Sequence, residues 1–151
     1  MTDKKIAIIG GGNLGGSIAQ GLLKSRQYKP ENIIVTRRKI ELLAELSKKG
    51  LSIHSDNELA MKDADIIILA VKPKVIDKVL NQAKHLLTKD KIVISVATGV
   101  ELVHMQAIIG SEIPLFRAMP NTAIAIRESM TCIATSNGSN DHIDEVIDTF
   151  N

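Results

Sequence analysis

The sequence is poor in the residues on which several classes of protein depend. Its 151 residues include no tryptophan, one tyrosine, two phenylalanines and one cysteine. Three aromatic rings cannot build the base-stacking platform of a single-stranded nucleic-acid binder, and a net charge of +2 gives no strongly basic surface for a phosphate backbone. We therefore expect no nucleic-acid partner.

The sequence also shows no pattern typical of a disulfide, a membrane span or a metal site. A single cysteine excludes an internal disulfide and is typical of a reducing compartment. The longest apolar run, Ile66–Val71, is far shorter than the roughly 20 residues that cross a bilayer, and the polar start Met1–Lys5 predicts no secretory signal. The four histidines lack metal-ligand spacing. We expect a cytoplasmic chain with no membrane partner and no metal.

What the sequence does contain is an alternation of strand and helix patterns. The predicted strands are Lys5–Ile9, Ile33–Val35, Leu51–Ile53, Ile66–Val71, Ile92–Val96, Leu115–Met119 and Met130–Ala134. Most are separated by apolar residues at helical spacing, as with Leu14, Ile18 and Leu22. Such βαβ units predict an α/β fold: a doubly wound, mainly parallel sheet with helices on both faces.

The last segment predicts a helix whose apolar face has no partner. Asp141 is a suitable N-cap, and four apolar residues follow at helical spacing: Ile143, Val146, Ile147 and Phe150. We interpret the end at Asn151 as a cut inside or just after this helix, with a natural end as the alternative. An unpaired apolar face would then promote self-association.

A glycine motif lies between the first predicted strand and the first predicted helix. Gly10-Gly-Gly12-Asn-Leu-Gly15 matches G-x-G-x-x-G in the context that the motif requires. Gly10 permits a tight turn, Gly12 lets the backbone approach a pyrophosphate, and Gly15 allows close helix–strand packing. The start of the helix offers free N–H groups to phosphates. The motif predicts a Rossmann-type NAD(P)-binding domain over residues 1–151; a plain glycine-rich turn is the alternative.

The end of the second predicted strand indicates which dinucleotide is bound. An NAD site usually places an acidic residue there to bind the ribose 2′-hydroxyl. This chain has Thr36, Arg37 and Arg38 instead, and a hydroxyl with guanidinium groups suits a 2′-phosphate. We expect NADP(H) in preference to NAD(H). The alternative is that both arginines are ordinary solvated side chains.

Other polar segments follow strands at the edge where doubly wound sheets bind ligands. Lys72 either neutralises an anionic group or is simply solvated, and Asn121 and Thr122 offer neutral hydrogen-bonding groups. No residue pattern supplies an evident acid, base or nucleophile, so the catalytic residue is unknown. Cys132 lies in an apolar strand pattern, which favours a buried structural thiol over a nucleophile. These features suit hydride transfer, in which the cofactor carries the chemistry.

In order and spacing, several segments resemble the pyrroline-5-carboxylate reductases, NAD(P)H-dependent enzymes that catalyse the last step of proline biosynthesis. The matching segments are Ile8–Gly15, Ser55–Asn57, Leu69–Pro73, Ser95–Val100, and Arg117–Thr122 running on to Met130 and Thr131. The combination of Ala-Val-Lys-Pro with Met-Pro-Asn-Thr is the specific part of the resemblance. It covers nearly all of this chain.

The resemblance implies roles for individual residues. The pyrophosphate would be held by Gly10, Gly12, Asn13, Leu14 and Gly15. The adenosine ribose and its phosphate would contact Thr36 and Arg37, beside Arg38. The rest of the cofactor would be lined by Asn57, Ala70, Val71, Lys72, Pro73, Ala97, Thr98 and Gly99. Met119, Pro120, Asn121 and Thr122 would lie beside the nicotinamide and the substrate.

The resemblance also implies a missing part. Members of that family continue into a helical domain that dimerises and completes the pocket for the imine substrate. We therefore expect this chain to be the cofactor-binding half of a homo-oligomeric enzyme that reduces 1-pyrroline-5-carboxylate to L-proline. Two alternatives stay open: another NADP-linked dehydrogenase of the same architecture, of prephenate or hydroxyacid type, and a non-catalytic NADPH-binding or redox-sensing module.

Overall fold

Seven short runs, most of them rich in β-branched residues, form one sheet in the computed structural model, which describes residues 1–151. The strands are β1 (Ile6–Ile9), β2 (Ile33–Thr36), β3 (Ser52–His54), β4 (Ile66–Leu69), β5 (Ile92–Ser95), β6 (Leu115–Met119) and β7 (Cys132–Thr135). Every residue of β1, β2, β4 and β5 is buried. Burial on both faces explains why these strands read as unbroken apolar runs.

Six α-helices connect and flank the strands. They are α1 (Asn13–Ser25), α2 (Ala44–Lys48), α3 (Asn57–Asp63), α4 (Ile76–Ala83), α5 (Leu102–Ile109) and α6 (Asn140–Phe150). Short 3-10 segments occupy Pro30–Asn32, Ile40–Leu43, Pro73–Val75, Lys84–Leu86 and Thr122–Ile126. None of the six helices combines the length and apolar character that crossing a membrane requires.

The strand order confirms the predicted doubly wound architecture. The sheet runs β3-β2-β1-β4-β5-β6-β7, and every pair is parallel except β6 with β7. The order reverses beside β1, because β2 lies on one side of it and β4 on the other. Ligands of such sheets bind at the carboxyl ends of the strands beside this switch point.

The two faces of the sheet carry separate cores. Alternate residues of β1 divide between them: Ile6 and Ile8 pack with α1, α2 and α6, while Ala7 and Ile9 pack with α3, α4 and α5. This division follows from the two-residue period of a strand. Helices thus cover both faces of the sheet and leave its carboxyl edge to the loops.

The last helix differs from the sequence-based expectation in two respects. Its N-cap is Ser139 instead of Asp141: the Ser139 hydroxyl accepts a hydrogen bond from the His142 N–H, and the His142 ring accepts one from the Ser139 N–H. The prediction that the apolar face of this helix has no partner is also wrong. Val146 is fully buried and Phe150 is 7% exposed, in the same core as α1, so only Ile147, at 42%, remains open to solvent. The basis for predicted self-association is thereby removed.

Cys132 is exposed, which corrects the prediction of a buried thiol. Strand β7 begins at this residue, later than predicted, and is the outermost strand of the sheet. Its side chains alternate, so that Ile133 packs on the core beside α1 while Cys132 and Ala134 are exposed. An apolar sequence indicated burial on both faces, but an edge strand here has only one face covered.

Candidate functional site

The sheet brings the predicted segments to one edge. The strand register aligns Ile9 with Thr36 on one side and with Leu69 on the other, and Leu69 in turn with Ser95. The carboxyl ends of these four strands are therefore level. The loops that follow them carry most of the residues predicted to bind a cofactor, so the topology gathers those loops around the switch point.

The glycine loop between β1 and α1 is packed too tightly for any side chain at two positions. Gly10 has a φ of +104°, and a Cβ there would lie 2.6 Å from the Ala70 carbonyl oxygen. A Cβ at Gly15 would overlap the carbonyl oxygen of Gly10 and approach the Ala70 side chain. Both glycines therefore have the packing roles that the motif predicts, a tight turn and a close approach of helix to strand.

Gly12 faces open space. An added Cβ there would have no heavy atom within 4 Å, and Gly12 is the N-cap of a 13-residue helix. No acidic side chain occurs in the first turn of that helix to occupy its free N–H groups. A backbone surface without side chains at a helix start is a surface that an anionic group can approach closely. The loop thus fits a pyrophosphate at the position predicted for it.

Gly11 is a third tightly packed position, which the motif does not predict; its nearest neighbours are side chains instead of backbone. A Cβ on Gly11 would lie 2.6 Å from Cδ2 of Leu43 and 2.9 Å from Cγ1 of Val35. Its N–H donates to the Thr36 carbonyl oxygen at 2.7 Å. The motif leaves this position free, and the run of three consecutive glycines is the only sequence signal of the constraint.

The end of β2 is joined to the glycine loop through Thr36. This residue is 1% exposed. Its hydroxyl accepts a hydrogen bond from the Gly10 N–H at 3.2 Å and donates to Oδ1 of Asn57 at 2.6 Å. Asp56 is the N-cap of α3: its side chain accepts hydrogen bonds from the Glu58 and Leu59 N–H groups, which fixes the backbone beside Asn57. Three predicted residues from separate segments therefore form one hydrogen-bonded group.

The two arginines after β2 differ in their surroundings. Arg37 is half-buried, and its guanidinium donates from Nη1 to the Gly11 carbonyl oxygen at 3.2 Å. Arg38 is exposed. Neither contacts any carboxylate: the three Lys–carboxylate ion pairs and the His104–Asp77 contact involve other residues. Both positive charges therefore remain uncompensated by a carboxylate at the edge of the glycine loop.

The loops after β4 and β5 border a groove of about 450 Å³. Its lining includes Pro73 from the first loop and Gly99 from the second, and a contact of 2.7 Å between Asp77 Oδ1 and His104 Nε2 joins the helices behind them. Lys72 is exposed and belongs to no ion pair, whereas Ala97 is buried beneath the exposed Thr98. Ala70 and Val71 contact the glycine loop, as the Gly10 packing shows.

The 3-10 segment that continues from Met119–Thr122 packs on α1, a contact that the sequence pattern does not predict. A Cβ on Gly21 of α1 would overlap the Ile124 carbonyl oxygen, in the 3-10 segment that directly follows Asn121. Asn121 Oδ1 accepts from the Ala123 N–H at 2.9 Å and thereby caps that segment. Thr122 and Met119 are exposed. One helix, α1, therefore supports both the glycine loop and this segment.

A family model described as NADP oxidoreductase, coenzyme F420-dependent, matches residues 5–99, more than half of the 151 residues. The match includes the glycine loop, the end of β2, and the loops after β4 and β5. The chain belongs to this family. The family match thus spans most of the segments that the sequence predicts to bind a dinucleotide, and it ends before Met119–Thr122.

Among curated proteins, the chain is similar to enzymes of one named activity. The chain is 44% identical over 135 residues to pyrroline-5-carboxylate reductase 2 of Dictyostelium discoideum, covering 87% of this chain and 45% of the relative. It is 36% identical over 132 residues to the pyrroline-5-carboxylate reductase of Escherichia coli K12, covering 87% and 49%. The chain thus spans about half the length of these relatives. The resemblance stated from the motifs is confirmed.

Solved structures give the same result. The chain superposes with a TM-score of 0.90 on a Plasmodium falciparum pyrroline carboxylate reductase with NADP bound, at 28% identity over 100% of this chain and 55% of that one. A pyrroline-5-carboxylate reductase of Coxiella burnetii gives 0.90 at 32% identity, over 99% and 56%. A prephenate dehydrogenase of A. aeolicus, at 14% identity and a TM-score of 0.80, shares the fold alone.

Proposed function

We propose that this chain is the cofactor-binding domain of a pyrroline-5-carboxylate reductase and that it binds NADP(H). The observation that carries the proposal is the side-chain-free backbone at Gly12, at the start of α1 and beside the switch point of the sheet. The similarity to named pyrroline-5-carboxylate reductases, at 44% and 36% identity, supports the choice of reaction.

In this proposal the pyrophosphate lies against the Gly10–Gly15 loop, and its oxygens accept hydrogen bonds from the N–H groups of Asn13 and Leu14. The adenosine ribose and its 2′-phosphate lie at the end of β2, beside Thr36, Arg37 and Arg38. Two guanidinium groups without carboxylate partners favour a dianionic phosphate over a hydroxyl. We therefore propose that NADP(H) is preferred to NAD(H).

The remaining predicted contacts follow the edge of the sheet. Asn57, Ala70–Pro73 and Ala97–Gly99 line the rest of the cofactor, and Met119–Thr122 lies beside the nicotinamide and the substrate. Bound NADPH would supply a hydride to the C=N carbon of 1-pyrroline-5-carboxylate whose imine nitrogen carries a proton, which gives L-proline and NADP⁺. The residues of this chain bind and orient the nucleotide, and α1 holds the Met119–Thr122 segment at a fixed position relative to the glycine loop.

The rest of the substrate site belongs, in this proposal, to a second, helical domain. The chain covers 45% and 49% of the two curated relatives, so about half of a comparable enzyme lies outside it. That domain would complete the pocket for the small imine substrate and form the homo-oligomer. We also predict a cytoplasmic location, which cell fractionation of the natural gene product tests.

Genetic complementation tests the proposed reaction. The complete natural protein that contains this chain should restore growth without proline to a bacterial strain that lacks its own pyrroline-5-carboxylate reductase. A Gly12→Val version of that protein serves as the matched control and should fail. If the natural protein is produced, binds NADPH and still leaves the strain dependent on proline, the reductase proposal is wrong. Another NADP-linked dehydrogenase or a non-catalytic module would then take its place.

A further inference from the structure

We propose that Thr36 is a positioning residue: its hydroxyl orients the side-chain amide of Asn57, so that the amide NH₂ group is offered to the nucleotide. This inference rests on the proposed function and refines the role of Thr36, for which the sequence predicts a direct contact with the 2′-phosphate. On this account Thr36 sets the affinity for NADPH and NADH alike, while Arg37 sets the choice between them.

The Thr36 hydroxyl has a single proton to donate. Oγ1 accepts the Gly10 N–H, so its own proton must be donated elsewhere. The Asn57 amide is 2.6 Å away and offers Oδ1 as acceptor. The reversed amide would present a second donor to Oγ1 and leave the hydroxyl proton without a partner inside a residue that is 1% exposed. Because unpaired buried polar groups are costly, one orientation of Asn57 is selected.

That orientation decides what Asn57 offers to a ligand. Oδ1 is occupied by Thr36, and Nδ2 makes no hydrogen bond within the chain. Asn57 is half-buried at the first position of α3, where the Asp56 cap accepts N–H groups from Glu58 and Leu59. Cap and hydroxyl together fix both the backbone and the side chain of Asn57. The free groups are therefore two N–H donors, which fit an acceptor such as a ribose hydroxyl or a phosphate oxygen.

Thr36 also fixes the glycine loop itself. Its carbonyl oxygen accepts the Gly11 N–H at 2.7 Å, and its hydroxyl accepts the Gly10 N–H. Both bonds use backbone groups of the loop proposed to hold the pyrophosphate, a group common to NADPH and NADH. Arg37, in contrast, has a charged guanidinium at the loop edge, where only NADPH places a 2′-phosphate. Loss of the Thr36 hydroxyl should therefore lower the affinities for NADPH and for NADH by a similar factor.

The test compares Thr36→Val, which removes the hydroxyl at nearly constant volume, with Thr36→Ser, which keeps it. Calorimetric titration should give NADPH and NADH affinities that are both roughly five- to fiftyfold weaker in Thr36→Val, with their ratio unchanged within about twofold. Thr36→Ser should restore most of the affinity for both. In the free proteins, the NMR signals of the Asn57 side-chain NH₂ should shift in Thr36→Val and return towards wild type in Thr36→Ser.

Each other outcome overturns the inference. A Thr36→Val variant that loses NADPH affinity but keeps NADH affinity would show a direct contact with the 2′-phosphate. Unchanged affinities, or an unshifted Asn57 amide, would show that the hydroxyl positions nothing. If Thr36→Val does not fold, Asn57→Ala takes its place in the titration. Asn57→Ala should lower the affinities for NADPH and NADH by a similar factor, and unchanged affinities would overturn the inference. Wild-type protein that binds neither nucleotide would instead refute the proposed function, and the inference with it.

Discussion

Two regions at the carboxyl edge of the sheet differ in how many of their side chains are held in place by contacts within this chain. On the cofactor side, defined here as Gly10, Gly11, Thr36, Arg37 and Asn57, backbone and side chains are linked by hydrogen bonds that the chain supplies itself. On the β7 side, defined as Met119, Ile126, Met130 and Cys132, side chains are exposed, with Met119 at 54% and Met130 at 86%.

The difference separates binding from turnover. A preorganised loop with paired polar groups binds its ligand without first being ordered by another part of the protein. On the β7 side, in contrast, the exposed side chains enclose no space in which this chain alone could orient a substrate. We therefore expect the 151-residue chain to bind nucleotide by itself, and to lack the enclosed geometry that hydride transfer to an imine needs.

The largest expected effect is on turnover. The isolated 151-residue chain should reduce 1-pyrroline-5-carboxylate negligibly, because loss of orientation between donor and acceptor costs up to about 7–11 kcal/mol of barrier. NADPH absorbance followed with the imine present measures this, with the Escherichia coli relative as the active control. A rate of roughly 1–10 per second from the isolated chain would mean that the pocket is complete without further sequence.

The next effect is on stability. Gly15→Ala places a Cβ against the Gly10 carbonyl oxygen and must push α1 away from the sheet, so it should destabilise the fold by about 3 kcal/mol or more. The matched control is Gly16→Ala, one residue later in the same helix, where a Cβ meets nothing within 4 Å. That change should stabilise the chain by up to about 1 kcal/mol. Similar urea midpoints for the two variants would contradict the packing described for the loop.

A change at Gly12 should affect binding and not folding. Gly12→Val fills the open space proposed for the pyrophosphate, and we expect NADPH affinity to fall by roughly a hundredfold or more, the equivalent of at least two lost hydrogen bonds. Gly12→Ala should give a smaller loss, because it adds one carbon. Thermal melting supplies the check on folding, and normal NADPH binding by a Val variant with wild-type stability would reduce the loop to a simple turn.

The smallest effect concerns the choice of nucleotide. Arg37→Asp should lower NADPH affinity by roughly ten- to a hundredfold, since a charge-assisted contact is worth about 1.5–3 kcal/mol, and should change NADH affinity much less. Lys89→Asp makes the same change of charge at the opposite edge of the sheet and should leave the ratio of affinities as it is. Equal affinities of the wild-type chain for both nucleotides would remove the 2′-phosphate argument.

The sequence predicts the sheet and the glycine loop well, because both depend on local patterns. Apolar runs gave the strands within one or two residues, and the roles of Gly10 and Gly15 follow from a motif with a known turn. What it could not predict are contacts between residues distant in the chain. The hydroxyl of Thr36 meets an amide 21 positions later, and Gly21 meets the carbonyl oxygen of Ile124.

The errors have the same origin. Val146 and Phe150 form a helix face whose partner local sequence does not reveal, because it packs on a core built from residues much earlier in the chain. Cys132 reads as buried because its strand is apolar, but the position of that strand at the edge is a property of the whole sheet. Local patterns indicate which face is apolar, and only the tertiary fold shows what covers it.

Calorimetric titration of the wild-type 151-residue chain with NADPH tests the central claim most directly. A chain that completes the cofactor side by itself should bind one NADPH per molecule, release heat on binding, and lose that signal in Gly12→Val at unchanged stability. Absence of binding by a folded wild-type chain would show that the glycine loop and the end of β2 need a further part of the protein to hold the nucleotide, and would contradict the account.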